Sequence, residues 1–242
     1  AVRNDLRRAQ QLGAGGLMPV KMLADREGIP GFATELLDGE TLRARLSRGP
    51  LCVERGLAVV ASVARTMEAA HKVGLVHGDL RPENIFLVRP SAKSTSAGKV
   101  MVVEHGLHHL RRRAPGLDDR LPLYKHLYRP PEQVAGVMAA GERGDVFVLG
   151  AILYECLTAR PAFFAEEIEF VLENLASPPP PLKPNPATGL SGPLAEALTL
   201  LIRQACALLT FQKLRQRISF WGRRSLVCRW HNDGFGPYNL RA

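Results

Sequence analysis

His77-Gly78-Asp79-Leu80-Arg81-Pro82-Glu83-Asn84, running directly into Ile85-Phe86-Leu87-Val88, is the stretch on which the reading of this chain turns. It sets a carboxylate, a guanidinium and an amide on a proline-containing turn between two regular elements. Upstream, Val53, Leu57, Val60, Ala64, Met67 and His71 recur at spacings of three and four, and Gly74 follows as a left-handed stop. That pattern predicts a helix over 53–73. Downstream, Ile85 to Val88 and Lys99 to Val103 read as short apolar strands, with a Ser-, Ala- and Lys-rich loop over 89–98 between them.

Further out, Arg3 to Leu12 is compatible with a helix that Gly13, Gly15 and Gly16 interrupt. Leu17 to Leu23 and Gly31 to Leu37 read as a hairpin about the turn Ala24 to Gly28. Asp38-Gly39-Glu40-Thr41 stops the second strand and caps a short helix, Leu42 to Ser47. Towards the C-terminus, residues 106–131 are irregular and carry Arg111-Arg112-Arg113. Residues 145–158 are apolar nearly all round, which predicts a buried helix. Helices are also expected over 166–176 and 194–209, joined by an extended connector over 177–186 that holds six prolines. Residues 211–242 have no clean period, and no internal repeat is present.

Composition narrows the function classes. The chain has 242 residues, 46% hydrophobic and 23% charged, which is globular rather than disordered. Lys and Arg outnumber Asp and Glu by 32 to 23, a formal charge of +9. Residues 1–202 hold 24 basic and 22 acidic side chains, whereas 203–242 hold 8 and 1. The body is therefore near neutral, and the excess lies at the C-terminus, which argues against a nucleic-acid partner for the body. The longest uncharged apolar run, Val146 to Tyr154, is too short to span a bilayer. Cys52, Cys156, Cys206 and Cys228 form no CxxC and read as reduced thiols, giving a cytoplasmic expectation. The chain opens without Met and without a signal peptide, as expected of a fragment or a processed product.

The segment 77–84 resembles the protein-kinase catalytic loop, H-R-D-L-x-x-x-N before a strand. The flanks are similar in order and spacing. Glu104-His105-Gly106 stands where the family has Asp-Phe-Gly. Tyr128-Arg129-Pro130-Pro131-Glu132-Gln133 resembles the segment ending in Ala-Pro-Glu, Asp145 to Gly150 the start of the buried central helix, and Thr34 to Gly39 the hinge. The resemblance covers roughly residues 4–209 and is closest to bacterial kinases of the eukaryotic Ser/Thr type. It implies an α+β fold, mainly α, consisting of a kinase-like large lobe (38–209) with a remnant of the small lobe (1–37) and a basic tail (210–242). The cofactors it implies are ATP and Mg2+, and the partner a protein substrate.

The resemblance also implies roles. Asp79 accepts the substrate hydroxyl proton, Arg81 touches the transferred phosphate in place of a family Lys, and Asn84 holds magnesium with Glu104. Phe86 lies under the adenine, while backbone groups of Glu35 and Leu37 bond its edge. Asp145 binds catalytic-loop N–H groups, and His77 holds the loop in a structural role. Glu132 pairs with an arginine for which Arg215, at a shifted position, is the surrogate.

Departures from the family pattern are specific. No G-x-G-x-x-G and no V-A-I-K occurs, and Asp5 falls where the family has its small-lobe helix glutamate. Glu104 is one methylene longer than the family Asp, and magnesium is strict about geometry. His105 replaces a Phe, Gly78 replaces the catalytic-loop Arg, and Tyr124-Lys125 replaces Gly-Thr. These changes set an impaired or inactive kinase beside a second expectation, a pseudokinase scaffold that binds a protein partner. A metal site at His105, His108 and His109 and a proline-run ligand over 177–186 are weaker alternatives. For the tail, nucleic-acid binding and an altered reading frame after about residue 210 both remain open.

Overall fold

The computed structural model describes residues 5, 8–9, 12, 15–22, 32–90, 98–105, 126–134, 141–175 and 177–207. The expected turn over 24–28, most of the loop over 89–98, His108, His109, the three arginines 111–113, Tyr124-Lys125, Arg215, Cys228 and the tail lie outside the described residues.

Strands β1 (Val20–Met22) and β2 (Phe32–Thr34) pair antiparallel within the expected hairpin strands 17–23 and 31–37, with Val20 opposite Thr34. A second sheet has the order β3 (Gly39–Thr41), β4 (Ile85–Val88), β5 (Val100–Val102), all antiparallel. Strand β3 is a correction to the sequence reading, which treated 38–41 only as a stop and a cap. Both functions coexist, because Thr41 ends the strand and its hydroxyl accepts from the Ala44 N–H at 3.1 Å, capping α1 (Leu42–Leu46). Gly39, at φ +153°, lies close against β4; a Cβ there would stand 2.1 Å from the Leu87 carbonyl oxygen.

Helix α2 (Val53–Lys72) closes on Gly74, whose φ of +69° supplies the left-handed stop. Its buried residues include Val59, Val63, Met67 and Ala70. Leu57, Val60 and Ala64, which the spacing placed at the centre of the stripe, are only partly buried against the core. The helix packs on both β5 and α4 (Glu142–Thr158), so its apolar face is broader and rotated relative to a single stripe. A short helix α3 (Pro131–Val134) precedes α4.

Helix α4 runs through the middle of the core, and twelve of its seventeen residues are buried, Asp145 and Glu155 among them. It touches α2 on one side and α6 (Gly192–Cys206) on another. Gly150 permits the second contact, since a Cβ there would lie 3.0 Å from both Ala205 Cβ and Cys206 Sγ. Phe147 stacks on Phe163 at 5.3 Å between ring centroids. Helix α5 (Ile168–Leu175) and a 3₁₀ turn (Pro186–Thr188) flank the proline connector. Cys156 and Cys206 are free and buried, and burial pushes both thiols up to about 12; Cys52 is free and exposed. The fold is mainly helical with small antiparallel sheets, as expected. Among the described residues, no helix is long and apolar enough to cross a membrane.

Candidate active site

The segment 77–84 is built around one buried carboxylate. Asp145, in the first turn of α4 and 2% exposed, accepts from the His77 N–H and the Gly78 N–H, each at 3.0 Å, and from His71 Nε2 at 2.8 Å. A loop has few backbone partners of its own, so these charge-assisted bonds fix its entry. His77 is fully buried. Its Nε2–H donates to the Val103 carbonyl at 3.0 Å, and its Nδ1 accepts from the Asp79 N–H at 3.3 Å. One neutral tautomer satisfies both bonds, which places His77 in the scaffold rather than among the reacting groups.

Pro82 opens the 3₁₀ turn Pro82–Asn84, where its fixed φ suits the first position. Asn84 is 1% exposed, and its amide nitrogen donates to the Asp79 carbonyl at 2.8 Å. Its amide oxygen is thereby the atom offered to a cation. The Val103 N–H in turn donates to the Asn84 carbonyl at 2.9 Å, which ties the loop to the end of β5.

Arg81 gathers the charged groups. Its Nη1 lies 2.7 and 2.6 Å from the two Asp79 carboxylate oxygens, its Nη2 lies 3.5 Å from Glu104 Oε2, and its Nε lies 3.7 Å from Glu83 Oε2. The guanidinium is buried, while the Glu104 side chain is 45% exposed. Four of the predicted site residues, Asp79, Arg81, Asn84 and Glu104, therefore converge.

Glu104 has φ +60°, a left-handed conformation uncommon for a residue with a side chain. His105 beside it is 1% exposed, and among the described residues neither ring nitrogen has a hydrogen-bond partner. Burial, and then the neighbouring His77, pull it down to about 4, so it packs as a neutral ring.

The remaining predicted residues lie along β4 and the segment before β3. Phe86 is half-buried, with Thr41 opposite it on β3. Glu35 is exposed and Leu37 half-buried, and among the described residues neither uses its backbone groups on another backbone group. Leu36 between them is 97% exposed. Asp5 is buried and lies 3.9 Å from Arg8.

The sequence reading missed a second buried cluster. Arg43 on α1 reaches Glu83 at 2.8 Å, Glu155 at 2.5 Å and the Tyr128 hydroxyl at 2.6 Å, and the Tyr128 hydroxyl donates to the other Glu155 oxygen. Burial alone would lower the Arg43 pKa, but Tyr128, Glu155 and Glu83 outweigh it and raise it. Burial first, and then Glu155, raise the Tyr128 phenol well above its ordinary value, which keeps its proton on. The signal was present: Glu155 is the one charged side chain between Val146 and Leu157, and a carboxylate buried there requires a cation. Glu132, by contrast, is 7% exposed, its Oε2 has no hydrogen-bond partner among the described residues, and burial raises its carboxyl.

Asn84 oxygen and the Glu104 carboxylate are hard donors that suit Mg2+. Among the described residues no group of three or more His, Cys, Asp or Glu is placed to hold a metal by itself. The donor set fits an ion that takes its other ligands from phosphate oxygens and water.

Comparison with known proteins agrees with this geometry. The protein kinase domain family matches residues 21–185. Serine/threonine-protein kinase Pkn1 of Myxococcus xanthus is 35% identical over 161 residues, 65% of this chain and 22% of that protein. Serine/threonine-protein kinase PknA of Mycobacterium tuberculosis is 30% identical over 153 residues, 62% of this chain and 34% of that protein. The chain thus spans about a third or less of the length of these relatives. A crystal structure of the Mycobacterium tuberculosis PknI kinase domain superposes with a TM-score of 0.58 at 18% identity, covering 91% of this chain and 77% of that one. The family match extends over more than half of the chain and contains the whole Asp79–Glu104 site, and the chain belongs to the protein kinase domain family.

Proposed function

We propose that this domain is a Ser/Thr protein kinase large lobe that transfers the ATP γ-phosphoryl group to a protein hydroxyl at a reduced rate. The observation that carries this reading is Arg81 held between Asp79 and Glu104. Phosphoryl transfer needs positioning and charge neutralisation more than covalent help. Asp79 sits on a loop locked by Asp145 and Asn84 and accepts the substrate hydroxyl proton. Arg81 offers a positive group between the base and the metal-side carboxylate. Bound Mg2+ would neutralise phosphate charge, and Asn84 and Glu104 would hold it. Phe86 supports the adenine ring, and the backbone of Glu35 and Leu37 meets its edge. The longer Glu104 carboxylate displaces one metal ligand from the position an Asp would give it, which lowers the rate.

A second reading, a pseudokinase scaffold, draws on the same metal side, where Glu104 and His105 both depart from the family pattern. Mg2+-dependent transfer of labelled phosphate to a basic protein separates the two. Asp79→Asn is expected to lower transfer by about 10²–10⁴-fold, and Glu104→Asp to raise it. Transfer that is absent in the parent chain, or untouched by Asp79→Asn, would leave the scaffold reading in place.

A further inference from the structure

A cleft of about 620 Å³ lies away from the Asp79–Glu104 site, between the β3–β4 edge and helices α1 and α2. Four arginines line it: Arg45 from α1, Arg48 in the turn after α1, Arg55 from α2, and Arg89 just past β4. Its single acidic lining residue is Glu40. That carboxylate is gripped by Arg48 at 2.6 and 2.7 Å, and Arg48, then Arg45 and Arg89, lower its pKa. Arg89 lies 3.2 Å from Asp38, outside the lining. Arg45 and Arg55 are half-buried and make no ion pair among the described residues; Arg45 donates to the Gly49 carbonyl at 3.1 Å.

Two half-buried guanidiniums that make no ion pair among the described residues line a cleft whose own carboxylate is held by a third, Arg48. Guanidinium forks match the oxygens of a phosphoryl group. The rest of the lining, Leu51, Leu87, Val88 and Pro90, is apolar. The volume falls in the range of small-molecule sites, roughly 300–1,000 Å³. Because the body of the chain is near neutral, the cluster is a local feature rather than part of a broad basic face of the kind that tracks nucleic acid.

We infer that this cleft binds a small organic phosphate, its phosphoryl oxygens on Arg45 and Arg55 and its apolar part on Leu51, Leu87 and Pro90. The inference does not depend on the transfer reaction.

Calorimetric titration of the 242-residue chain with phenyl phosphate, inorganic phosphate and phenol tests it. Phenyl phosphate is expected to bind about tenfold more tightly than either of the others. Arg45→Gln and Arg55→Gln should each weaken it by about tenfold, the value of one charge-assisted bond. Glu40→Gln removes the competing carboxylate and should tighten binding, an effect of opposite sign that misfolding does not imitate. Four results would overturn the inference: equal affinity for phenol, indifference to both arginine changes, weaker binding in Glu40→Gln, or displacement of phenyl phosphate by Mg2+-ATP. A phosphopeptide that binds where phenyl phosphate does not would also overturn it, because the site would then be a peptide surface.

Discussion

The two sides of the candidate site are built differently. On the base side, the His77 and Gly78 N–H groups bond the buried Asp145 carboxylate, the His77 ring bonds the Val103 carbonyl and the Asn84 amide bonds the Asp79 carbonyl. On the metal side, Glu104 is held in a left-handed conformation, and both nitrogens of the buried His105 ring lack partners among the described residues. The first side is over-determined, so a single change there has several consequences. On the second, the His105 ring is held by packing, with no hydrogen bond to its nitrogens among the described residues.

The largest expected effect breaks the base side. Asp145→Ala leaves the buried His77 N–H, the half-buried Gly78 N–H and His71 without their acceptor. A loss of roughly 4 kcal/mol is expected in denaturant unfolding. A loss below about 1 kcal/mol would mean that the loop has other anchors. The next effect concerns the metal side. His105 is lowered to about 4 in the folded chain from an unfolded value of 6.5. The folded state therefore binds fewer protons, and stability falls as pH drops through 6.5 and levels off below about 4. Between pH 7.5 and 4.5 the contribution is about 2–3 kcal/mol. His105→Phe should abolish that slope in metal-free protein; a slope that persists would place the titration elsewhere. The smallest effect lies at Glu132, where a buried carboxylate oxygen lacks a partner among the described residues. Glu132→Gln should stabilise the fold by about 1 kcal/mol, seen as a higher midpoint at neutral pH. A lower midpoint would show that the charge is compensated.

Much of this contrast was legible in the chain. The residues Asp79, Arg81 and Asn84 were legible because their segment resembles the protein-kinase catalytic loop, between a periodic helix and a short apolar strand. The buried helix over 145–158 was visible from its unbroken apolar character, and its observed start at Glu142 lies three residues earlier. Periodicity misplaced the buried face of α2, because a helix packed on two neighbours has no single stripe. The three-residue strand β3 is too short to show alternation. The Arg43–Glu155–Tyr128–Glu83 cluster joins residues up to 112 apart in sequence. Only the isolated Glu155 hinted at it, and nothing local names the partner. The cleft of arginines was illegible for the same reason, since Arg45, Arg55 and Arg89 come from three elements.

The grip of Asp145 on the loop has a consequence for solvent exchange. Amides in irregular segments normally trade their hydrogens for deuterium by local fluctuation. The His77 and Gly78 amides are bonded to a carboxylate on a central helix, 2% exposed to water. Releasing them requires that helix to move. They are expected to exchange on the timescale of α4 itself, so the loop and the helix should lose protection together, as one cooperative unit.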